Sequence, residues 1–330
     1  MTTKATSLGA RKVDDETIRG IAPTKTVGET RPKPRVSFVS DLLTLFKIRV
    51  TSLVVLTSLL GFFLAARKTG TDVMTWKMLA TMLGIGIVSG GAAALNQAIE
   101  ATQDGKMART KDRPVPSGRM TKATAIGWGL ASVAAGCALL WVMANPLTAL
   151  LTFATAATYV LVYTPLKMIT PICTLVGAFP GAMPPVLGWT AITASVDPES
   201  LALFAILFFW QFPHFLAIAW LYRDDYERAA IKMRPVVDNT GRITLTEILA
   251  NGAVLIPVSI APVLLGMGSW PYIAAATVLG LAYLWFGIRL ALLRMAPGAA
   301  ASKRHARQLL QASVIYLPLL VVALIADGSR

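Results

Sequence analysis

Residues 96–114 read Asn96-Gln-Ala-Ile-Glu100-Ala-Thr-Gln-Asp104-Gly-Lys-Met-Ala-Arg109-Thr-Lys-Asp-Arg113-Pro114, and they close an apolar segment long enough to cross a membrane. Asn96, Glu100 and Asp104 carry oxygen atoms that can bind a metal, and residues four apart share one helix face at intervals of roughly 6 Å. Carboxylates at that spacing repel each other unless a cation lies between them, and Mg²⁺ favours one or two carboxylates together with phosphate oxygens. The stretch therefore predicts a divalent-metal site at a bilayer surface, against the alternative of an ordinary solvated helix end.

The composition of the chain indicates an integral membrane protein. Its 330 residues are 55% hydrophobic and 15% charged, and the mean hydropathy is +0.61, which is more apolar surface than a soluble domain can bury. The net charge of +14 does not indicate a nucleic-acid partner, because the cations lie at the ends of apolar segments. Cys137 and Cys173 lie inside apolar stretches and are predicted to be free, buried thiols.

Apolar runs of membrane length predict an all-α integral membrane fold with about nine transmembrane helices. Their approximate spans are 48–66, 78–101, 122–143, 147–163, 172–193, 200–221, 244–267, 271–293 and 309–326. We assign residues 41–330 to this polytopic domain. Residues 1–40 are polar and lack an apolar run, so we predict a disordered cytoplasmic tail.

Alternate connections between the predicted helices differ in charge. Those after the second, fourth, sixth and eighth helices carry Lys and Arg, whereas the opposite connections carry almost none, apart from Arg67, Lys68 and Lys77 in the first. The positive-inside rule then places the amino terminus and the even-numbered connections in the cytoplasm, and the odd helix count places the carboxyl terminus outside. Two cytoplasmic connections, 102–121 and 222–243, are also acidic, and their separation by four helices suggests two related halves.

The cations beside the acidic residues have a composition suited to a diphosphate. Arg109, Lys111 and Arg113 supply guanidinium and ammonium groups next to the predicted metal site. Anchoring by the positive-inside rule accounts for Arg119 and Lys122, which have no acids packed around them. Lys47 and Arg49 open the first helix, where they either contact phosphates or extend to the lipid headgroups.

The sixth connection offers a second acidic cluster that faces the same compartment. Asp224 and Asp225 stand there between Arg223 and Arg228. Two acidic clusters and a diphosphate suggest a pair of metals that clamp one leaving group, against the alternative of surface salt bridges. Asp104→Ala is expected to abolish turnover and to leave membrane insertion intact, because Asp104 lies outside the apolar span.

His214 lies inside the sixth predicted helix, in the sequence Trp210-Gln-Phe-Pro-His214-Phe. A polar ring within a span is costly, so it is a functional candidate by default. It either forms a structural hydrogen bond across helices or takes part in the active site, by binding a metal porphyrin or handling a proton.

The chain resembles the UbiA-type intramembrane prenyltransferases, and within them the haem branch, the protohaem IX farnesyltransferases, over residues 45–320. The segment that begins at Asn96 is similar to the first acidic motif of that branch, and four further segments are typical of it: residues 163–171, 181–189, 210–215 and 225–237. Departures are Glu100 where the superfamily often has Asp, the absence of a DxxxD motif around Asp225, and Lys47-Ile48-Arg49 where Lys-Pro-Arg is common.

The resemblance implies a fold, a reaction and a set of site residues. The helices would surround a central cavity in a bacterial cytoplasmic membrane, and the reaction would join the farnesyl group of farnesyl diphosphate to a vinyl group of haem B, giving haem O. Mg²⁺ would be the cofactor, haem B a substrate, and a haem O-modifying enzyme a downstream partner. Alternatives are another aromatic acceptor, such as a quinone precursor or chlorophyllide, and a transporter.

The implied residue roles fall into three groups. The metal ligands and catalytic residues would be Asn96, Glu100, Asp104 and Asp225, with Asp224 as a further ligand. The diphosphate would be bound by Arg109, Lys111, Arg113, Lys47, Arg49, Lys167 and Arg223. The haem would contact His214, Trp210 and Tyr163.

Overall fold

The computed structural model describes residue 2 and residues 37–327, and the regular structure in these residues is entirely helical. The helices are α1 (Phe38–Leu45), α2 (Ile48–Thr69), α3 (Trp76–Ile99), α4 (Ala101–Asp104), α5 (Lys122–Met143), α6 (Pro146–Ala157), α7 (Thr164–Leu166), α8 (Cys173–Ala182), α9 (Pro184–Thr193), α10 (Pro198–Leu221), α11 (Arg223–Arg228), α12 (Arg234–Val237), α13 (Arg242–Leu264), α14 (Trp270–Leu292) and α15 (Ala300–Asp327). A π-helical turn, Thr158–Tyr163, joins α6 to α7.

Nine helical segments in the described residues are long and apolar enough to cross a membrane, which confirms the predicted fold class. They are α2, α3, α5, the Pro146–Leu166 segment, the Cys173–Thr193 segment, α10, α13, α14 and α15. The last helix begins at Ala300 rather than near residue 309, because its polar first turns continue the apolar part without a break. Of the predicted tail, residues 1 and 3–36 lie outside the described residues, and α1 begins at Phe38, before the predicted boundary.

Several of the helices start at a polar side chain that accepts a hydrogen bond from the first turn. Ser37, Thr75, Thr121 and Asn145 cap α1, α3, α5 and α6 in this way. Such caps satisfy backbone N–H groups that have no partner inside the helix. The helix ends are therefore fixed by local sequence, and the polar residues of the connections begin at defined positions.

Small residues let pairs of spanning helices approach closely, and α3 is rich in Gly and Ala. A Cβ added at Gly91 would lie 2.7 Å from the backbone oxygen of Gly129 in α5. The contact between α2 and α9 is tighter, since a Cβ at Gly188 would lie 1.8 Å from the Ser58 oxygen. Close backbone contact of this kind is a main source of helix association in lipid, where apolar side chains gain little by leaving the solvent.

Two cations that interrupt the predicted charge pattern make structural contacts at the end of the molecule opposite the acidic connections. Arg67 donates to the backbone oxygen of Ile325 at 3.3 Å, and Lys68 pairs with the buried Glu199. These contacts between spans account for the positions of the two cations, and each has a partner at that surface.

The connections that carry the acidic residues share a small apolar core. Met107, Cys173 and Met233 are buried together there, with Ala219, Ala229 and Ile231. These residues come from three separate connections and the ends of the adjoining helices. The core therefore holds the second, fourth and sixth connections together as one layer, which we call the acid-bearing end.

Candidate active site

Asn96, Glu100 and Asp104 form one row that runs from the last turn of α3 to the end of α4. The backbone N–H of Glu100 donates to the Asn96 oxygen at 2.9 Å, and that of Asp104 donates to the Glu100 oxygen at 2.8 Å. The helical repeat therefore continues through the row, so the three side chains share one face as predicted. All three are buried, and Asp104 is only 1% exposed. A solvated helix end does not account for this burial.

Each oxygen-bearing side chain in the row meets a cation from another part of the chain. Lys47 Nζ donates to Asn96 Oδ1 at 2.6 Å, Lys167 pairs with Glu100, and Arg113 Nη1 donates to Asp104 Oδ2 at 2.7 Å. A buried carboxylate is costly unless it is paired. Lys167 and Arg113 therefore neutralise the two carboxylates, and Lys47 donates to the uncharged Asn96 amide. All three were predicted to bind a diphosphate.

Lys47 and Lys167 differ in pKa because they meet different groups. Burial, followed by the nearby charges of Arg113 and Lys167, lowers the pKa of Lys47 to about 7. Burial acts on Lys167 in the same direction, but the Glu100 carboxylate overrides it and leaves the pKa of Lys167 raised. Lys167 is therefore a fixed cation, and Lys47 holds a proton that it can lose near neutral pH.

The backbone of Lys47 and the π-helical turn place these lysines. Lys47 adopts a left-handed conformation with φ 46° at the start of α2, which is uncommon for a residue other than glycine. The π-helical turn is followed by Thr164, which accepts a hydrogen bond from Asn96 Nδ2 at 3.1 Å and donates to the Tyr159 oxygen at 2.8 Å. The Lys167 ammonium lies 4.6 Å from the centre of the Tyr163 ring. π-helical turns such as Thr158–Tyr163 are frequent at functional sites.

The second and sixth connections meet through Arg109. Its Nη2 donates to the Tyr226 hydroxyl at 2.6 Å, and its guanidinium lies 5.2 Å and 5.0 Å from the ring centres of Tyr222 and Tyr226. A backbone hydrogen bond of 2.8 Å from Lys232 to Lys167 also joins the sixth connection to the fourth. The structure thus brings together the two acidic connections that lie four helices apart in the sequence.

The acids of the sixth connection pair with cations in α11 and α15. Asp224 accepts from Lys303 Nζ at 3.0 Å, and Asp225 pairs with Arg228. Arg223 donates to the Pro235 oxygen at 3.0 Å and also contacts Glu227 and Asn239. The hydrogen bond from Lys303 lowers the pKa of Asp224, so this acid stays ionised over the physiological range.

The remaining predicted residues lie in two settings. Lys111 and Arg49 are exposed, and their side chains make no ionic contact among the described residues. His214 Nδ1 lies 2.7 Å from the Ser313 hydroxyl, and its ring stacks on Trp210 at 4.8 Å between centres. Trp210 donates to the Ser313 backbone oxygen at 2.9 Å. In the described residues these two rings therefore tie α10 to α15.

Three residues with defined contacts near the row were missed by sequence reasoning. Gln97 donates to the backbone oxygens of Thr44 and Leu45, both at 2.8 Å, and so holds the corner between α1 and α2 against α3. Buried Asp41 accepts from Arg119, a cation interpreted as a membrane anchor. Thr110 donates to the Asp104 backbone oxygen at 2.7 Å. Gln97 and Thr110 lie inside the quoted motif, so their proximity to the acids was a usable signal.

The donor set of the row suits a hard divalent cation. No group of three or more His, Cys, Asp or Glu side chains is arranged to hold a metal in the described residues. The row nevertheless supplies one amide and two carboxylate oxygens, which are the donors that Mg²⁺ takes. Each of these oxygens now contacts Lys47, Lys167 or Arg113, so a bound metal would have to displace these groups from the oxygens.

The chain is similar to known proteins over most of its length. Residues 54–323 match the UbiA prenyltransferase family. The chain is 48% identical over 297 residues to the "Protoheme IX farnesyltransferase" of Koribacter versatilis, covering 90% of this chain and 96% of that protein.

Two solved structures share the fold at low sequence identity. A digeranylgeranylglyceryl phosphate synthase superposes with a TM-score of 0.70 at 14% identity, covering 88% of this chain and 98% of that one. A UbiA homologue from Archaeoglobus fulgidus, bound to GPP and Mg²⁺, superposes with a TM-score of 0.60 at 14% identity, covering 87% and 100%. The chain therefore belongs to the UbiA prenyltransferase family.

Proposed function

We propose that this chain transfers the farnesyl group of farnesyl diphosphate to a vinyl group of haem B and so produces haem O. The observation that carries the proposal is the buried row of Asn96, Glu100 and Asp104, with a cation against each side chain. Such a site can hold a diphosphate through a metal on one side and through ammonium and guanidinium groups on the other. The name of the relative from Koribacter versatilis supports haem as the acceptor.

The reaction balances with water as the third reactant. The bond between C1 of the farnesyl chain and the diphosphate oxygen breaks, and both electrons leave with the diphosphate. The vinyl π electrons then form the new carbon–carbon bond with the allylic cation. Water supplies hydroxide to the resulting cation and releases a proton, so the products are haem O, diphosphate and one proton.

The residues of the row would stabilise the charge that develops on the diphosphate. Mg²⁺ held by Asn96, Glu100 and Asp104 would neutralise the leaving group when bound. Lys167 and Arg113 lie against the same carboxylates and would turn to the diphosphate oxygens when their present partners are occupied. Asp225 and Asp224 remain candidates for a second metal, since the sixth connection lies against the second.

The membrane setting suits substrates that are apolar bodies with anionic groups. We place the acid-bearing end at the cytoplasmic face of a bacterial inner membrane, because the acidic connections also carry the cations. A cavity between the spans that opens to lipid would admit the farnesyl chain and the haem. Haem O would then pass to a haem O-modifying enzyme.

The test is product formation by purified protein in detergent or nanodiscs. Haem B, farnesyl diphosphate and Mg²⁺ should yield haem O in a chromatogram checked by mass, and chelation of the metal should stop the reaction. Quinone precursors and chlorophyllide serve as competing acceptors. No haem O from a folded protein, or preferred prenylation of another acceptor, would refute the proposal. Unchanged turnover after chelation would refute the requirement for Mg²⁺.

A further inference from the structure

We infer that Arg109 is a positioning residue, which sets the sixth connection against the acid row by holding Tyr222 and Tyr226. The contact of these three residues is called the Arg109 clasp below. The inference goes beyond the diphosphate-binding role that the motif suggests for Arg109. It rests on the proposed function only in so far as the acids of both connections serve one substrate.

The contacts of the guanidinium are the first reason. It lies near the rings of both tyrosines and donates one short hydrogen bond of 2.6 Å to the Tyr226 hydroxyl. Guanidinium groups near aromatic rings are held by cation–π attraction. No carboxylate contacts Arg109 in the described residues, whereas Arg113, four residues later, pairs with Asp104.

The spacing of the two tyrosines is the second reason. The Tyr226 backbone N–H donates to the Tyr222 oxygen at 3.1 Å, so both rings lie on one face at the start of α11. A group that holds both rings fixes how α11 is rotated about its axis. Asp225 directly precedes Tyr226, so this rotation also sets the direction of its carboxylate.

The position of Arg109 in its own connection is the third reason. Met107, two residues earlier, is buried in the apolar core that the second, fourth and sixth connections share. Thr110, the next residue, donates to the Asp104 backbone oxygen. Arg109 therefore extends from a segment fixed to the acid row, and any rigid hold on α11 is transmitted to Asp104.

The first test uses hydrogen exchange of the whole protein in nanodiscs and needs no turnover. Arg109→Gln should raise the exchange rate of peptides that cover residues 222–231 about tenfold, the scale of coupling between residues in contact. Lys106→Ala removes an exposed cation of the same connection that makes no side-chain contact in the described residues, and it is the matched control. Unchanged exchange in Arg109→Gln would overturn the inference even if the protein makes haem O.

The second test uses the reaction and a double-mutant cycle. Tyr226→Phe removes one hydroxyl and keeps the ring, so folding should be unaffected. The clasp predicts a several-fold rise in the KM for farnesyl diphosphate in Tyr226→Phe. Arg109→Lys should raise the KM by less than Arg109→Gln does. The effects of Arg109→Gln and Tyr226→Phe on the KM should not add in the double variant. A raised KM in Arg109→Gln with a silent Tyr226→Phe would instead assign Arg109 to the diphosphate and refute the clasp. If the wild type forms no haem O, the proposed function fails and the exchange data still decide the clasp.

Discussion

Lys47, Lys167 and Arg113 define the site as much as the acids do. Two of them neutralise carboxylates, and Lys47 meets an uncharged amide. Asn96 in turn is oriented from its other side by Thr164, so its oxygen faces Lys47. Within the row, this suggests a division of roles in which Glu100 and Asp104 supply the negative charge and Asn96 aligns the Lys47 side chain.

The charge of Asp104 can be tested separately from the volume of its side chain. Asp104 is buried, so Asp104→Ala would leave Arg113 without its ion-pair partner, and a loss of turnover in that variant would not distinguish misfolding from the loss of the catalytic charge. Asp104→Asn keeps the volume and an oxygen that can accept from Arg113. We expect turnover to fall about 100-fold or more, as for other losses of electrostatic stabilisation, with an unchanged elution profile in detergent. Turnover within tenfold of wild type would show that the charge of Asp104 is dispensable.

His214 should act on stability rather than on chemistry. Its ring is hydrogen-bonded to Ser313 and stacked on Trp210, and loss of one such hydrogen bond costs about 1 kcal/mol. His214→Ala and Ser313→Ala should both lower the melting temperature, and the double variant should lower it by less than the sum. Haem O synthesis and the absorption spectrum of bound haem should stay unchanged. A shifted haem spectrum in His214→Ala would instead restore an axial-ligand role.

At the scale of helices, glycine contacts decide which spans can pack together. The α2–α9 pair relies on Gly188 and on Gly61, where an added Cβ would lie 1.8 Å from the Pro185 oxygen. Neither neighbour can move easily, because each is backbone in the middle of a span. The contact between α2 and α9 thus leaves no room for a side chain at Gly61 or Gly188.

Gly188→Ala and Gly127→Ala form a matched pair that tests this packing. The first forces a methyl group against the Ser58 oxygen, and the second places one where no atom lies within 4 Å. We expect Gly188→Ala to lower the free energy of unfolding by about 3 kcal/mol or more, the upper end of the range common for overpacking. Gly127→Ala should be neutral or stabilising by up to about 1 kcal/mol, since alanine favours helix. Melting temperatures in one detergent compare them, and equal values would show that the contact is not tight.

At the scale of the whole molecule, we expect the charges at the ends of the nine spans in the described residues to set the orientation of the chain in the membrane. Arg67 and Lys68 lie on the cation-poor side but are engaged by Ile325 and Glu199. Lys111 in the second connection and Arg49 in the first turn of α2 are exposed and have no ionic partner among the described residues.

The orientation can be tested with reporters fused to the intact chain. A phosphatase fused after Arg330 should be active, and a fluorescent protein at the same place should be dark, because the positive-inside rule puts this end outside. The same pair of reporters inserted after Lys106 should give the reverse result. A fluorescent fusion after Arg330 would break the topology and move the site to the other face of the membrane.

Sequence reasoning reached the spans and the acid row because both depend on local periodicity. The row needed only the helical repeat from Asn96 to Asp104, and the spans needed only apolar length. It did not reach the pairing of Lys167 with Glu100 or of Asp41 with Arg119. These pairs join residues 67 and 78 positions apart, and they depend on packing that no local pattern encodes. Nor did it reach the contacts of Arg109 with Tyr222 and Tyr226.

The π-helical turn at Thr158–Tyr163 has a consequence for chain length. Its wider winding accommodates about one residue more than an α-helical turn, so it amounts to an insertion absorbed inside a span. Deletion of Leu161, which is 70% exposed, would relax the turn to a regular α-helix and keep the two sides of the span in their present rotation, because only the absorbed residue is removed. Thr164 and Lys167 would then still face Asn96 and Glu100, and we expect turnover to be retained. Haem O synthesis by that deletion variant measures whether the site depends on the number of residues before it as well as on their identity.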